Sequence, residues 1–130
     1  MLKSVLIIDD DPEMRKMLSE VLTSEGYLIQ TAENGQDAIL ACERELFDLA
    51  LIDIGLPDII GTELLKLKIL QPKMSTIIIT GYASVESAMK AVALKADGYL
   101  QKPFEISILL QLLKRIEDEK ISVYFTMLSG

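Results

Sequence analysis

The sequence predicts an α/β fold: a doubly wound parallel sheet of five strands in the order 2-1-3-4-5. Three observations carry that expectation. Short apolar runs alternate with helical patterns, giving the order (βα)5. The first, third and fourth runs are continuously apolar, as central parallel strands covered on both faces should be. The second run alternates more, which suits an edge. Right-handed crossovers then place helices on both faces of a single sheet.

Each element has its own signal. Val5-Leu6-Ile7-Ile8 is the first strand, and Pro12 marks the start of the first helix. Met14, Met17, Leu18, Val21 and Leu22 follow at helical spacing, and Gly26 ends that helix. Tyr27 to Thr31 is the second strand. Asn34-Gly35 turns into a second helix carrying Ala38, Ile39, Ala41, Cys42 and Leu46. The third strand runs from Phe47 to Asp53. A helix from Glu63 to Leu70 is stopped by Pro72. The fourth strand, Ile77-Ile78-Ile79, precedes a helix from Ser84 to Ala96. Tyr99-Leu100-Gln101 is the fifth strand, and the last helix runs from about Glu105 to Lys120. Residues 1–120 form one domain and residues 121–130 a tail or helix extension.

Bulk composition narrows the function. With 130 residues, half of them apolar, the chain holds one domain with one core and is not disordered. A net charge of −7 argues against direct nucleic-acid binding and is compatible with a metal site or a basic protein partner. A single cysteine, Cys42, excludes an intramolecular disulfide; without histidine, zinc-finger and thiolate-cluster sites go too. The four-residue apolar run near the start is neither a signal peptide nor a membrane span, so the expected location is the cytoplasm.

Four strand ends deliver chemistry. The first delivers Asp9, Asp10 and Asp11, the third Asp53, the fourth Thr80 and the fifth Lys102. In the 2-1-3-4-5 order the switch point lies between strands one and three, where ligands bind outside the carboxyl ends of the strands. Close carboxylates repel one another, and a divalent cation relieves that. Mg²⁺ takes oxygen ligands, here Asp10 and Asp53, with Asp9 acting directly or through water and the Gly55 carbonyl as a further oxygen. A carboxylate can attack phosphorus, which makes Asp53 the candidate nucleophile. Lys102 would neutralise a phosphoryl oxygen and Thr80 would donate a hydrogen bond to one. Each residue also has a plainer role: Asp11 as a helix cap, Asp53 as a turn former, Thr80 as a turn cap, Lys102 as a surface cation. Their convergence on one sheet edge weakens those roles.

Ile7-Ile8-Asp9-Asp10-Asp11-Pro12, Asp53 with Pro57 and Gly61, Thr80-Gly81-Tyr82-Ala83, Gly98-Tyr99 and Lys102-Pro103-Phe104 together resemble the response-regulator receiver domain of two-component signalling. The resemblance covers residues 3 to 119 and implies a flavodoxin-like architecture. It implies that Asp53 takes a phosphoryl group from a phosphohistidine on a sensor histidine kinase or phosphotransfer protein. The chain has no histidine, so that donor must be another protein. It further implies that Asp9 and Asp10 bind Mg²⁺, that Lys102 contacts the phosphoryl group and that Thr80 reports its presence. The Lys102-Pro103 bond is cis in the family. Thr80 and Tyr99 would be the switch residues, acting on the face formed by the fourth helix, fifth strand and fifth helix. The protein would not be an enzyme beyond assisting its own phosphorylation and slow dephosphorylation.

Two neighbours of the site bear on phosphoryl lifetime. Gly55 leaves the pocket open beside Asp53, and Tyr82 is placed to screen it. On the fourth helix, Val85, Ala88, Met89, Val92 and Ala96 read as the core face, with Leu94 off it. On the fifth, Ile106, Leu109, Leu110 and Leu113 read as core, and Ile108 and Leu112 point away. That apolar stripe points to a partner surface rather than scattered leucines, and a phosphorylation-dependent homodimer through it would be more apolar than the charged pairs usual beside winged-helix domains. The chain is either a stand-alone regulator or the receiver fragment of a longer DNA-binding regulator. An aspartyl-phosphate hydrolase of the haloacid dehalogenase type is disfavoured, since Asp53-Ile54-Gly55 lacks its second Asp. A flavodoxin-like cofactor binder would want a phosphate loop that is not triply acidic. A pseudo-receiver would lack a site residue, and none is missing.

Overall fold

The computed structural model describes residues 2–55, 61–81, 84–93 and 95–129; of residues 61–65, 90 and 121–129 it describes the backbone alone. Five β/α units follow one another: β1 (Ser4–Ile8), α1 (Pro12–Ser24), β2 (Leu28–Ala32), α2 (Gly35–Arg44), β3 (Leu49–Asp53), α3 (Gly61–Leu70), β4 (Ser75–Thr80), α4 (Val85–Ala93), β5 (Gly98–Gln101) and α5 (Ile106–Ser129). The sheet is parallel throughout, in the order β2-β1-β3-β4-β5. This is the predicted topology.

Burial follows strand position. β3 and β4 are buried along their whole lengths and β1 from Val5 onward, whereas β2 at the edge is mostly open. Successive side chains of the central strands point to opposite faces. Leu6, Ile8, Ala50, Ile52 and Ile78 meet Ala38, Ala41 and Cys42 of α2, Leu67 of α3 and Ala91 of α4. Val5, Ile7, Leu49, Leu51, Ile77 and Ile79 meet Leu18 and Leu22 of α1 and Leu109, Leu113 and Ile116 of α5. Two apolar layers therefore clamp the sheet and leave its carboxyl edge free for polar groups.

Helix ends are locally encoded. Asp11 caps α1, its side chain accepting from the Glu13 N–H with Pro12 at the first helical position, so the plainer reading of Asp11 holds. Asn34 caps α2 through Asp37 N–H. Gly26 closes α1 at φ 94°, with Tyr27 N–H reaching Leu22 O and Gly26 N–H reaching Thr23 O.

Two helix faces differ from expectation. On α4, Val85, Met89 and Val92 are 79%, 66% and 77% exposed, and Ala88 is exposed as well. The buried side is Ser87 and Ala91. The helical period supplies two nearly opposite stripes, and the bulkier one is not inward. Small residues face in because the Tyr99 ring of β5 also fills that layer. Leu94 lies outside the described residues. On α5, Ile108 is exposed as expected, but Leu112 is not turned away: it packs against the sheet. Its Cδ2 would lie 2.6 Å from a Cβ at Gly98, so the glycine makes the space that Leu112 fills. The helix itself continues past Lys120 to Ser129, as residues 107–129 contain neither glycine nor proline.

Candidate functional site

β1 and β3 are adjacent, and Ile8 pairs with Ile52. Asp9 and Asp53 therefore leave the sheet side by side. The Asp9 N–H donates to Ala32 O, which holds the first residue past β1 in line with the sheet. Asp9 is 2% and Asp53 8% exposed. Asp10 is exposed, yet its carboxylate joins the other two: one oxygen from each lies within 4.8 Å of the others. Among the described residues this is the cluster of acids able to grip a metal ion.

Lys102 enters from β5. A cis Lys102-Pro103 bond follows it, as the family resemblance implies. Its ammonium donates to Asp9 Oδ2 at 2.7 Å and to Asp53 Oδ2 at 3.2 Å. Lys102 N–H also donates to Thr80 O at 2.7 Å, which ties the ends of β4 and β5 together. Thr80 is buried and lies one residue beyond Ile79, the register partner of Asp53. The Gly55 N–H donates to Asp53 Oδ1 at 2.8 Å. A Cβ at position 55 would sit 3.3 Å from that same oxygen, so glycine keeps this side of the carboxylate open.

The charges are balanced unevenly. Burial raises the Asp53 carboxyl above its ordinary value; the Gly55 N–H works against this, Asp9 adds to it, and Lys102 opposes it. Burial pulls the Lys102 ammonium down, but the Asp9 hydrogen bond and the charges of Asp53 and Asp9 outweigh it and leave it raised. One cation thus serves two buried acids and leaves net negative charge in the pocket. All the donors are oxygens, which suits a hard divalent cation.

Of the expected site residues, Asp9, Asp10, Asp53, Gly55 and Lys102 converge, and Thr80 stands at the same sheet edge. Tyr99, expected as a switch residue, packs in the layer below α4. Tyr82 and Pro57 lie outside the described residues. Arg15 escaped notice in the sequence. Its Nη1 donates to Asp9 O at 2.8 Å, bracing the loop that carries the acids, and its Nη2 lies 3.8 Å from Glu33. A cation four residues past the Asp11 cap was the available signal.

A doubly wound sheet that gathers three acids and a lysine at its carboxyl edge, with a buried threonine on the same edge, defines a class of α/β domains whose site suits a divalent cation. Comparison with known proteins gives the family: residues 5–121 match the response regulator receiver domain, and the chain belongs to that family. Receiver domains are signalling switches. The chain is 36% identical over 113 residues to the DNA-binding transcriptional regulator NtrC of Proteus hauseri, covering 86% of this chain and 24% of that one. It spans less than half the length of the first relatives it matches. The receiver domain protein of Methanospirillum hungatei superposes with a TM-score of 0.88 at 36% identity, over 94% of this chain and 98% of that one. A Burkholderia pseudomallei response regulator, solved with a phosphorylated aspartic acid and a calcium ion, superposes at 0.79 with 30% identity, over 91% and 72%. Among the described residues no helix is long and apolar enough to cross a membrane.

Proposed function

We propose that this domain is a reversible phosphoryl switch in which Asp53 is the acceptor. The observation that carries the reading is the Lys102 ammonium held between Asp9 and Asp53, with Asp10 beside them. A phosphohistidine on a sensor kinase or phosphotransfer protein is the donor. An Asp53 oxygen forms the new bond to phosphorus as the phosphorus–nitrogen bond breaks, and the histidine nitrogen keeps that electron pair. Asp10, Asp53 and the Gly55 carbonyl would hold Mg²⁺, with Asp9 directly or through water, and the ion would neutralise charge on the phosphoryl oxygens. Lys102 pairs with one phosphoryl oxygen, and Thr80 donates to another. The open side left by Gly55 would admit water to the phosphoryl group, and Tyr82 would oppose this by screening it.

The readout is the face built from α4, β5 and α5. It exposes Val85, Met89, Val92 and Ile108, an apolar surface suited to an output protein, an output domain of a longer chain, or a second copy. A cytoplasmic setting goes with a kinase partner. Residues 1–120 act as the receiver unit, and residues 121–130 follow it as a tail or helix extension.

Incubation with acetyl phosphate and Mg²⁺ tests the reading by intact mass. The expected result is a gain of one phosphoryl group that disappears with EDTA and in Asp53→Asn. An equal gain in Asp53→Asn would reject Asp53 as the acceptor.

A further inference from the structure

Ser87 is the unexplained buried polar residue of α4. It is 8% exposed and faces the sheet, where the helical pattern would put an apolar side chain. Its surroundings form a closed hydrogen-bond set. Ser84 and Ser87 make a reciprocal cap at the start of α4: Ser87 N–H donates to Ser84 Oγ at 3.1 Å, and Ser84 N–H donates to Ser87 Oγ at 3.0 Å. Ser87 Oγ also lies 3.0 Å from Ser84 O and 2.5 Å from Tyr99 Oη.

A serine hydroxyl has one proton and two lone pairs. The Ser84 carbonyl can only accept, so it takes the proton. The Ser84 N–H and the Tyr99 O–H fill the two lone pairs, and the Ser84 Oγ contact at 3.3 Å is the weakest left over. Tyr99 therefore donates to the same oxygen that caps the helix. A capping box normally carries Glu or Gln in this position. Ser87 makes the same cap with a short hydroxyl, and that hydroxyl also meets the tyrosine.

We infer that Ser87 is a positioning residue that ties the ring of Tyr99 to the first turn of α4, so that ring and helix start move as one. The inference rests on the switch reading above and deepens it. The chain runs from Thr80 at the end of β4 through residue 81 to Ser84, and Ser84 holds the Ser87 hydroxyl on which Tyr99 sits. Because the bond belongs to one arrangement of ring and helix, deleting it shifts the balance between two switch states and the affinity of any ligand that prefers one.

A double-mutant cycle tests this on the full chain. Tyr99→Phe removes one hydroxyl and leaves the cap intact. It should raise the unfolding equilibrium constant about fivefold in the parent and less than twofold in Ser87→Ala. Equal effects in both backgrounds would overturn the inference. Should Ser87→Ala not fold, Tyr99→Phe decides through hydrogen exchange: faster exchange at the Ser84 and Ser87 amides is expected, with α2 unchanged, and unaltered exchange overturns it. The affinity for beryllofluoride with Mg²⁺ should also change at least threefold in Tyr99→Phe. An unchanged affinity would detach the bond from the switch. A parent that binds no beryllofluoride would sink the phosphoacceptor reading, while the cycle still decides the coupling.

Discussion

Lys95 adopts the left-handed backbone conformation at φ 55°. It ends α4 as Gly26 ends α1: Ala96 N–H reaches Ala91 O and Lys95 N–H reaches Val92 O. A side chain in this conformation costs about 1 kcal/mol, so Lys95→Gly should stabilise the domain by about that amount in urea unfolding. Asp48 carries a second residue-scale prediction. It accepts hydrogen bonds from the Lys3 N–H at 2.8 Å, the Ser4 N–H at 3.0 Å and the Ser4 hydroxyl at 3.3 Å. Burial would raise its carboxyl, but the Ser4 and Lys3 hydrogen bonds and the charge of Lys120 outweigh it, leaving it below the ordinary value of 3.8. A lowered folded-state value means that the ionised side chain stabilises the fold above the unfolded value and ceases to do so as pH falls through the lowered one. Asp48→Asn should lose about 1 kcal/mol at neutral pH. Its deficit against the parent should close as the pH falls below 3.8, measured by urea midpoints; a deficit independent of pH would contradict the assignment.

At the scale of elements, α4 belongs to the face proposed to read out the switch. Its outer stripe of Val85, Met89 and Val92 is in water, and its inner side rests on Tyr99 through Ser87. Thr80 is buried at the end of β4, just before the loop that leads into this helix. Thr80→Ala should still accept a phosphoryl group on Asp53 but lose the phosphorylation-dependent amide shifts in α4. Shifts that persist unchanged would refute Thr80 as the reporter. The sequence pattern placed this helix correctly and its inward face wrongly. A 3.6-residue period identifies stripes, but the partner across the gap selects which one turns inward. Leu112 makes the same point on α5, since only the space at Gly98 turns it toward the sheet.

Over the whole molecule, the site is a charge balance spanning three strands. Asp9 and Asp53 are buried with Lys102 as their shared cation. Lys102→Met leaves both acids unpaired and should destabilise the metal-free protein by about 3 kcal/mol. Mg²⁺ should restore part of that loss, and at ten times its Kd should stabilise the parent by about 1.4 kcal/mol. Thermal melts of parent and variant, in EDTA and in Mg²⁺, measure both; a variant as stable as the parent in EDTA would show that Lys102 does not balance these acids.

The sequence by itself determined the alternation of strands and helices, the strands that run through the core and the acids, threonine and lysine at the strand ends. These follow from period, run length and the side chains that end each run, all of which are local properties of the chain. Only the tertiary structure decided that Lys102 bridges Asp9 and Asp53, that Arg15 braces the Asp9 loop, and that α4 turns Ser87 rather than Met89 toward the sheet. Those outcomes depend on contacts between residues as far apart as Asp9 and Lys102, and on hydrogen-bond partners that a one-dimensional pattern cannot place across a gap.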